Sequence, residues 1–332
     1  MSNMLFKNAL NRIEQKTPPI WFMRQAGRYH THYQKLKEKY TFEQLCKNPE
    51  LSSEVACGPV KEFDFDVAIL FSDILFPLQG LGMPLRFSPG PIFGDFINKN
   101  NFQQYSNVDR AIEHMEFQKT AIKITREQLP KSKSLVGFVG GLWTLLRFAV
   151  DKKNSFFQPK DFHFHFISET LLPLIKKNIQ LQLDAGAEVV MIFDSGLSDL
   201  NPYLFKEKYI YLIKNLADSF PGKLGYYIRG KSKNEIDLIS SFSFAGLGID
   251  HHIDITNLLS QNSKGFIQGN FDESIMLENI SKLSDEIHSY CDHIEKNGTI
   301  TGWVCGLGHG INKETPEKNV HLFIDTIRKR FK

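Results

Sequence analysis

FHFISETLLPLIKKNIQLQLDAGAEVVMIFDS, residues 164–195, carries the reading on which the fold turns. A long amphipathic stretch, 164–187, feeds a short apolar run, EVVMIF at 188–193, which ends on Asp194-Ser195. An apolar run without polar alternation marks a strand buried on both faces, as in a parallel sheet, and parallel strands need helical crossovers between them. Pro173 lies inside the helical stretch and predicts a bend or a late start there, because proline cannot donate the backbone bond of a helix interior.

The same unit recurs in both directions. PIWFM (19–23), DVAILF (66–71), SLVGFV (134–139), KLGYYI (223–228), AGLGI (245–249), GFIQGN (265–270) and TGWVCG (301–306) read as further strands. Helical patterns such as KEKYIYLIKNLADSF (206–220) separate them, and NVHLFIDTIRKRF (319–331) follows the last. Eight strands alternating with helices predict an α/β fold: a single-domain (β/α)8 TIM barrel over residues 1–332, with its active-site cleft at the C-terminal ends of the strands. A doubly wound open sheet is the alternative. Its dinucleotide-binding version is argued against because no strand is followed by G-x-G-x-x-G; VGFVGGLW (136–143) has the glycines without the spacing.

Composition bounds the partners. The chain has 332 residues, 42% hydrophobic and 23% charged, the balance of an ordinary soluble globular protein. With 28 Phe against 10 Tyr and 3 Trp, a Phe-rich core is expected. The longest apolar run, FVGGLWTLLRFAV (138–150), contains Arg147 and ends in Asp151-Lys152-Lys153, too short and too charged to span a bilayer. MSNMLFKNAL lacks the pattern of a secretory leader. A net charge of +3 without a Lys/Arg block gives no reason to expect nucleic acid. Cys46, Cys57, Cys291 and Cys305 show no C-x-x-C spacing and read as buried structural thiols in a reducing cytoplasm.

In a barrel, chemistry gathers where strands end. After the first strand come Arg24 and Arg28, two of only 10 arginines among 40 basic residues. The later strands end at Ser72-Asp73, GGLWT (140–144), Asp194-Ser195, Arg229, Asp250-His251-His252, Gln268 with Asn270, and GLGHGI (306–311) with His309. Each has an ordinary reading: Asp73 and Ser195 as helix N-caps, the arginines as surface ion pairs, His251-His252 as a loop pair, FHFHF (162–166) as a packing face. A zinc site would show H-x-x-x-H or H-x-C and a serine hydrolase G-x-S-x-G; neither is present. What remains is a pocket with an Asp, paired Args, a Ser and a His. Arginine forks suit carboxylates and phosphates, so a polycarboxylate or phosphate ligand is favoured.

Six segments then become recognisable. PPIWFMRQAGRY, ILFSDILFPLQGLGM, GFVGGLWTL, FDSGLSDLNP, IQGNFDE and GLGHGINKETP, spread in order from residue 18 to 316, resemble the successive signature segments of the uroporphyrinogen decarboxylase family. The resemblance implies a homodimeric, cytoplasmic (β/α)8 barrel that needs no cofactor or metal. It implies removal of the four acetate carboxyls of uroporphyrinogen III to give coproporphyrinogen III in haem biosynthesis. Matched by motif, Asp73 and Arg24 are the catalytic candidates. Arg24, Gln25, Ala26, Gly27, Arg28, Asp73, Phe148, Ser195 and His309 are the substrate-binding ones. The chain departs from the family pattern at Leu142 (Pro), Phe148 (Tyr), Gly196-Leu197-Ser198 (W-A-G), Gly246-Leu247-Gly248-Ile249 (G-L-D-W) and Gly306 (Asn). Phe148 lacks the hydroxyl that would meet the substrate, which leaves a non-catalytic porphyrinogen-binding paralogue as an alternative. Cobalamin-dependent methyltransferases of the same superfamily are another, but their zinc-holding H-x-C is missing and the late position here is His309.

Overall fold

A computed structural model describes residues 2–151, 153, 157–297 and 299–332. Its strands are β1 (Val67–Ile69), β2 (Leu85–Phe87), β3 (Pro91–Phe93), β4 (Ser134–Gly140), β5 (Val189–Phe193), β6 (Leu224–Ile228), β7 (Gly246–Ile249), β8 (Phe266–Phe271) and β9 (Trp303–Leu307). All but β2 and β3 form one parallel sheet in the order β1-β4-β5-β6-β7-β8-β9, and β2 and β3 pair as a separate antiparallel hairpin. The chain therefore has an α/β fold built on a seven-stranded parallel sheet.

Alternation along these strands builds two cores. Val67, Ile69, Val136, Val189, Met191, Tyr227, Phe266 and Val304 point to one face and share a single cluster, although β1 and β9 are the two ends of the strand order. Residues from both edges can meet only if the sheet curls. The helix Met4–Leu10 adds Phe6 and Ala9 to this inner cluster, Phe6 lying 5.8 Å from the ring of Phe266. The alternate residues, among them Leu135, Val190, Tyr226, Ile267 and Trp303, face the surrounding helices in a larger cluster. Burial on both faces is why the strand runs are mostly apolar rather than alternating. Phe6, Phe22, Phe65, Phe76, Phe166 and Phe205 are among the largest fully buried side chains, as expected, but all three tryptophans join them.

The expected first strand, PIWFM, is the exception. Only Ile20 makes a ladder bridge, to Cys305. Trp21 N–H donates to the Cys305 carbonyl and Cys305 N–H to that of Pro19, while Asp66 N–H donates to Ile20 on the other side. The ladder stops there because side chains take the remaining donors. Ile20 N–H goes to Asp66 Oδ2 (2.7 Å), Phe22 N–H goes to Gln25 Oε1 (3.1 Å), and Pro19 has no N–H. Pro19–Trp21 thus hydrogen-bonds to β9 and to the residue preceding β1.

At Pro173 the helix does not start late. The segment Asp161–Phe166 continues through a π turn, Ile167–Leu171, into Leu172–Asp184. The widened turn accommodates the missing proline N–H. No helix among the described residues is long and apolar enough to cross a membrane.

Candidate active site

The segment after Trp21 is a turn held rigidly from several sides. Gln25 is fully buried, and its carboxamide accepts from Phe22 N–H and donates to the Val67 carbonyl at 2.8 Å. Tyr29 Oη donates to the Gln25 carbonyl (2.8 Å), and Ile311 N–H donates to that of Met23 (3.0 Å). Within this frame Arg24 takes φ +63°, a left-handed conformation costing a β-carbon residue roughly 1–2 kcal/mol. Gln25 was expected to touch substrate, but its side chain is committed to backbone. The main-chain N–H groups of Ala26, Gly27 and Arg28 have no acceptor among the described residues.

Arg24 and Arg28 are solvent-exposed by surface, yet protein surrounds Arg24 closely enough that burial lowers its pKa. That combination belongs to a side chain lining a cleft. Asp73 acts to hold its charge, Arg28 and Arg229 act against it, and Tyr227 would hold it only if ionised, so these five groups share one electrostatic neighbourhood. Asp73 is half-buried, and its Oδ1 accepts from Leu75 N–H at 2.8 Å. Burial pushes its carboxyl up to about 6, against the pull of Leu75 N–H and Arg24. A carboxyl that titrates near neutrality beside arginines is a functional-site signature.

His309 joins the cluster through Tyr227. Its Nδ1 lies 2.9 Å from Tyr227 Oη, and the two rings stack with centroids 5.8 Å apart. Both flanking glycines serve close approaches. A Cβ on Gly308 would come within 2.6 Å of His251 N, and one on Gly310 within 2.5–2.9 Å of three atoms of Arg24. The GLGHG loop is thus shaped to let Arg24 lie across it.

Ser195 and Phe148 stand apart from these contacts. Ser195 opens the 3-10 turn Ser195–Asp199 after β5 and is half-buried. Phe148, on the helix Leu142–Ala149, sets its ring 6.4 Å from Phe93 of β3. Asp194, by contrast, is fully buried, and its carboxyl oxygens accept from Thr144 N–H, Thr144 Oγ1, Tyr209 Oη and Tyr226 Oη. Two of the departures are linked in space. A Cβ on Gly306 would lie 2.5 Å from Gln268 Nε2, and one on Gly248 2.9 Å from Gln268 Oε1, so both glycines make room for one buried carboxamide.

Tyr227 was missed as a site residue, while Arg229 stands among the expected strand ends but not in the expected binding set. A tyrosine inside a strand reads as core, and the alternation that turns Tyr226 toward the helices and Tyr227 inward is the signal that finds it. His251, read as part of a loop pair, faces Asp272 and Glu273, and their three potential metal-ligand atoms lie within 4.8 Å of one another.

Comparison with known proteins follows the same lines. Residues 1–330 match the family described as uroporphyrinogen decarboxylase (URO-D). A uroporphyrinogen decarboxylase of Synechococcus sp. (strain JA-2-3B'a(2-13)) is 32% identical over 351 residues, covering 99% of this chain and 97% of its own. One from Orientia tsutsugamushi (strain Ikeda) is 32% identical over 338 residues, with 96% of each covered. Among solved structures, a methyltransferase from Methanosarcina mazei superposes with a TM-score of 0.81 over 100% of both chains at 16% identity, a likeness of fold alone. The motif order, the raised aspartate among arginines and these full-length matches agree: the chain belongs to the uroporphyrinogen decarboxylase family.

Proposed function

We propose that the chain decarboxylates the four acetate side chains of uroporphyrinogen III, releasing carbon dioxide and giving coproporphyrinogen III in haem biosynthesis. The observation that carries this reading is Asp73, a carboxyl raised to about 6 that interacts with Arg24, whose charge Arg28 and Arg229 also influence. The Pro19–Trp21 bonds to β9 and to Asp66 support a closed (β/α)8 barrel forming one domain, with Pro19–Trp21 as its eighth stave. A homodimer is part of the same reading. So is a reducing cytoplasmic setting, which the four unpaired buried cysteines suit.

The chemistry needs a site for a polyanion that becomes locally cationic. Protonation of a pyrrole carbon next to the acetate arm makes the ring an electron sink. The bond to the carboxylate breaks, its electrons enter the ring, and the methylene carbon takes a proton as the ring returns its own. Each acetate thus consumes one proton and releases one carbon dioxide. Because the substrate supplies the sink, the step calls for no pyridoxal or metal. At pH 7 a carboxyl with a pKa of about 6 is mostly ionised, so Asp73 can accept pyrrole N–H bonds and stabilise the ring cation. Arg24, Arg28 and the N–H groups of Ala26 to Arg28 grip carboxylates and set the register of the ring, with Ser195 after β5 and His309 after β9. Burial lowers the Arg24 pKa, the direction a proton donor needs, although arginine stays charged near neutrality.

Purified protein incubated anaerobically with uroporphyrinogen III should yield seven-, six-, five- and four-carboxyl products in turn. Substrate that binds without conversion would instead support the non-catalytic paralogue. Gly310→Ala provides a second check. Its Cβ would displace the flexible Arg24 side chain, so kcat/KM should fall about tenfold or more while the melting temperature stays within a few degrees. Unchanged turnover in that variant would show that Arg24 does not depend on the loop.

A further inference from the structure

We propose that Tyr227 is a positioning residue for His309, holding the neutral imidazole as its Nδ1–H tautomer so that Nε2 is the ring's acceptor. The inference rests on the decarboxylase reading for its consequence in turnover, and on geometry alone for the tautomer.

Tyr227 Oη has one proton and two polar neighbours at the same distance, the Gly308 carbonyl at 2.9 Å and His309 Nδ1 at 2.9 Å. A carbonyl can only accept. If the hydroxyl donated to Nδ1, its oxygen would face the Gly308 oxygen with no proton between them. If it donates to Gly308, Nδ1 must carry the second proton and donate it to the tyrosine oxygen. Only the latter arrangement makes both contacts favourable.

The surroundings keep this geometry in place. Tyr227 is fully buried, and burial raises its pKa, so the phenol stays protonated. Gly308 N–H donates to the Phe271 carbonyl at 2.7 Å, which anchors the residue whose carbonyl accepts the phenol proton. Stacking at an interplanar angle of 21° opposes rotation of the imidazole. The nitrogen that stays protonated is set by the bond its partner makes. Neutral His309 then meets a ligand only as an acceptor, suited to a pyrrole N–H. On gaining a proton it becomes a donor at Nε2, suited to a carboxylate. Without Tyr227 the ring would divide between tautomers and present a donor part of the time.

The test is a long-range 1H–15N spectrum of histidine-labelled full-length protein at about pH 8.5, above the usual imidazole pKa, with His309→Asn supplying the assignment. The expected result is the Nδ1–H pattern for His309 in the unmodified protein. In Tyr227→Phe the two nitrogen shifts should move toward each other or invert, with kcat/KM for uroporphyrinogen III down about tenfold. An Nε2–H pattern in the unmodified protein overturns the proposal, as do shifts that Tyr227→Phe leaves unmoved. The unmodified spectrum decides the tautomer even if the variant folds poorly. Absence of turnover on uroporphyrinogen III with an Nδ1–H spectrum would overturn the decarboxylase reading and leave the tautomer assignment standing.

Discussion

Replacing Asp73 by Asn is expected to leave the protein more stable at neutral pH and nearly inactive. The two effects share one cause. Burial raises the Asp73 carboxyl from 3.8 to about 6, so the ionised form is disfavoured in the folded chain relative to the unfolded one. For an acid whose folded pKa is raised, the stabilising contribution is full below the unfolded pKa and is lost as pH rises through the folded one. Between about pH 4 and pH 6 the protein therefore gives up stability to keep this carboxyl charged. Asparagine avoids that cost and keeps an oxygen for Leu75 N–H. Discounted for partial exposure, the gain should be about 1–2 kcal/mol at pH 7, vanishing near pH 4. Decarboxylation should fall roughly 10²–10³-fold, the usual loss when one preorganised electrostatic partner is removed. Urea titrations at two pH values and a single-turnover assay check both. Near-normal turnover, or a stability gain that persists at pH 4, would overturn the role given to Asp73.

Such a residue is legible from sequence only in part. Asp73 stands out because a carboxyl after DVAILFS interrupts an apolar stretch, but its pKa depends on packing that spacing does not encode. The seven sheet strands are legible because burial on both faces makes most of them apolar runs, and each expected run overlaps the observed one. The first run has the same apolar character and still makes only one bridge. Its donors go to Asp66 and Gln25, 46 residues and 3 residues away, a competition the pattern cannot reveal. The hairpin of β2 and β3 escapes for the opposite reason: its strands are three residues long with only Leu85 buried, so no apolar periodicity marks them. Gly248 and Gly306 are visible separately as departures from the family pattern. Only their shared approach to Gln268 shows that they answer to one buried side chain.

The strand-end reading also singled out Ser195, whereas the adjoining residue carries more of the structure. Asp194→Ala is expected to be the most destabilising single change in the site region. Its carboxyl takes Thr144 N–H (2.9 Å), Thr144 Oγ1 (2.8 Å), Tyr209 Oη (2.5 Å) and Tyr226 Oη (2.7 Å). The network extends one bond further, with Gly196 N–H donating to Thr144 Oγ1 and Trp143 N–H to Tyr209 Oη. The end of β5, the start of the helix Leu142–Ala149, Tyr209 and β6 are thereby tied to one carboxyl. Alanine would leave buried donors unpaired at about 1–3 kcal/mol each. Because such losses are not additive, about 4 kcal/mol is expected in all, a large share of the roughly 5–15 kcal/mol that holds a domain folded. The urea midpoint reads this directly if the slope is unchanged. Removing the Tyr226 hydroxyl as well, as Asp194→Leu with Tyr226→Phe, should recover part of the loss, since one stranded donor goes while Thr144 Oγ1 and Tyr209 Oη stay to accept Gly196 N–H and Trp143 N–H. If Asp194→Ala alone cost under about 1 kcal/mol, the price of burying the carboxyl would match what its four bonds return. The turn carrying Ser195 would then have to be held by packing rather than by this network.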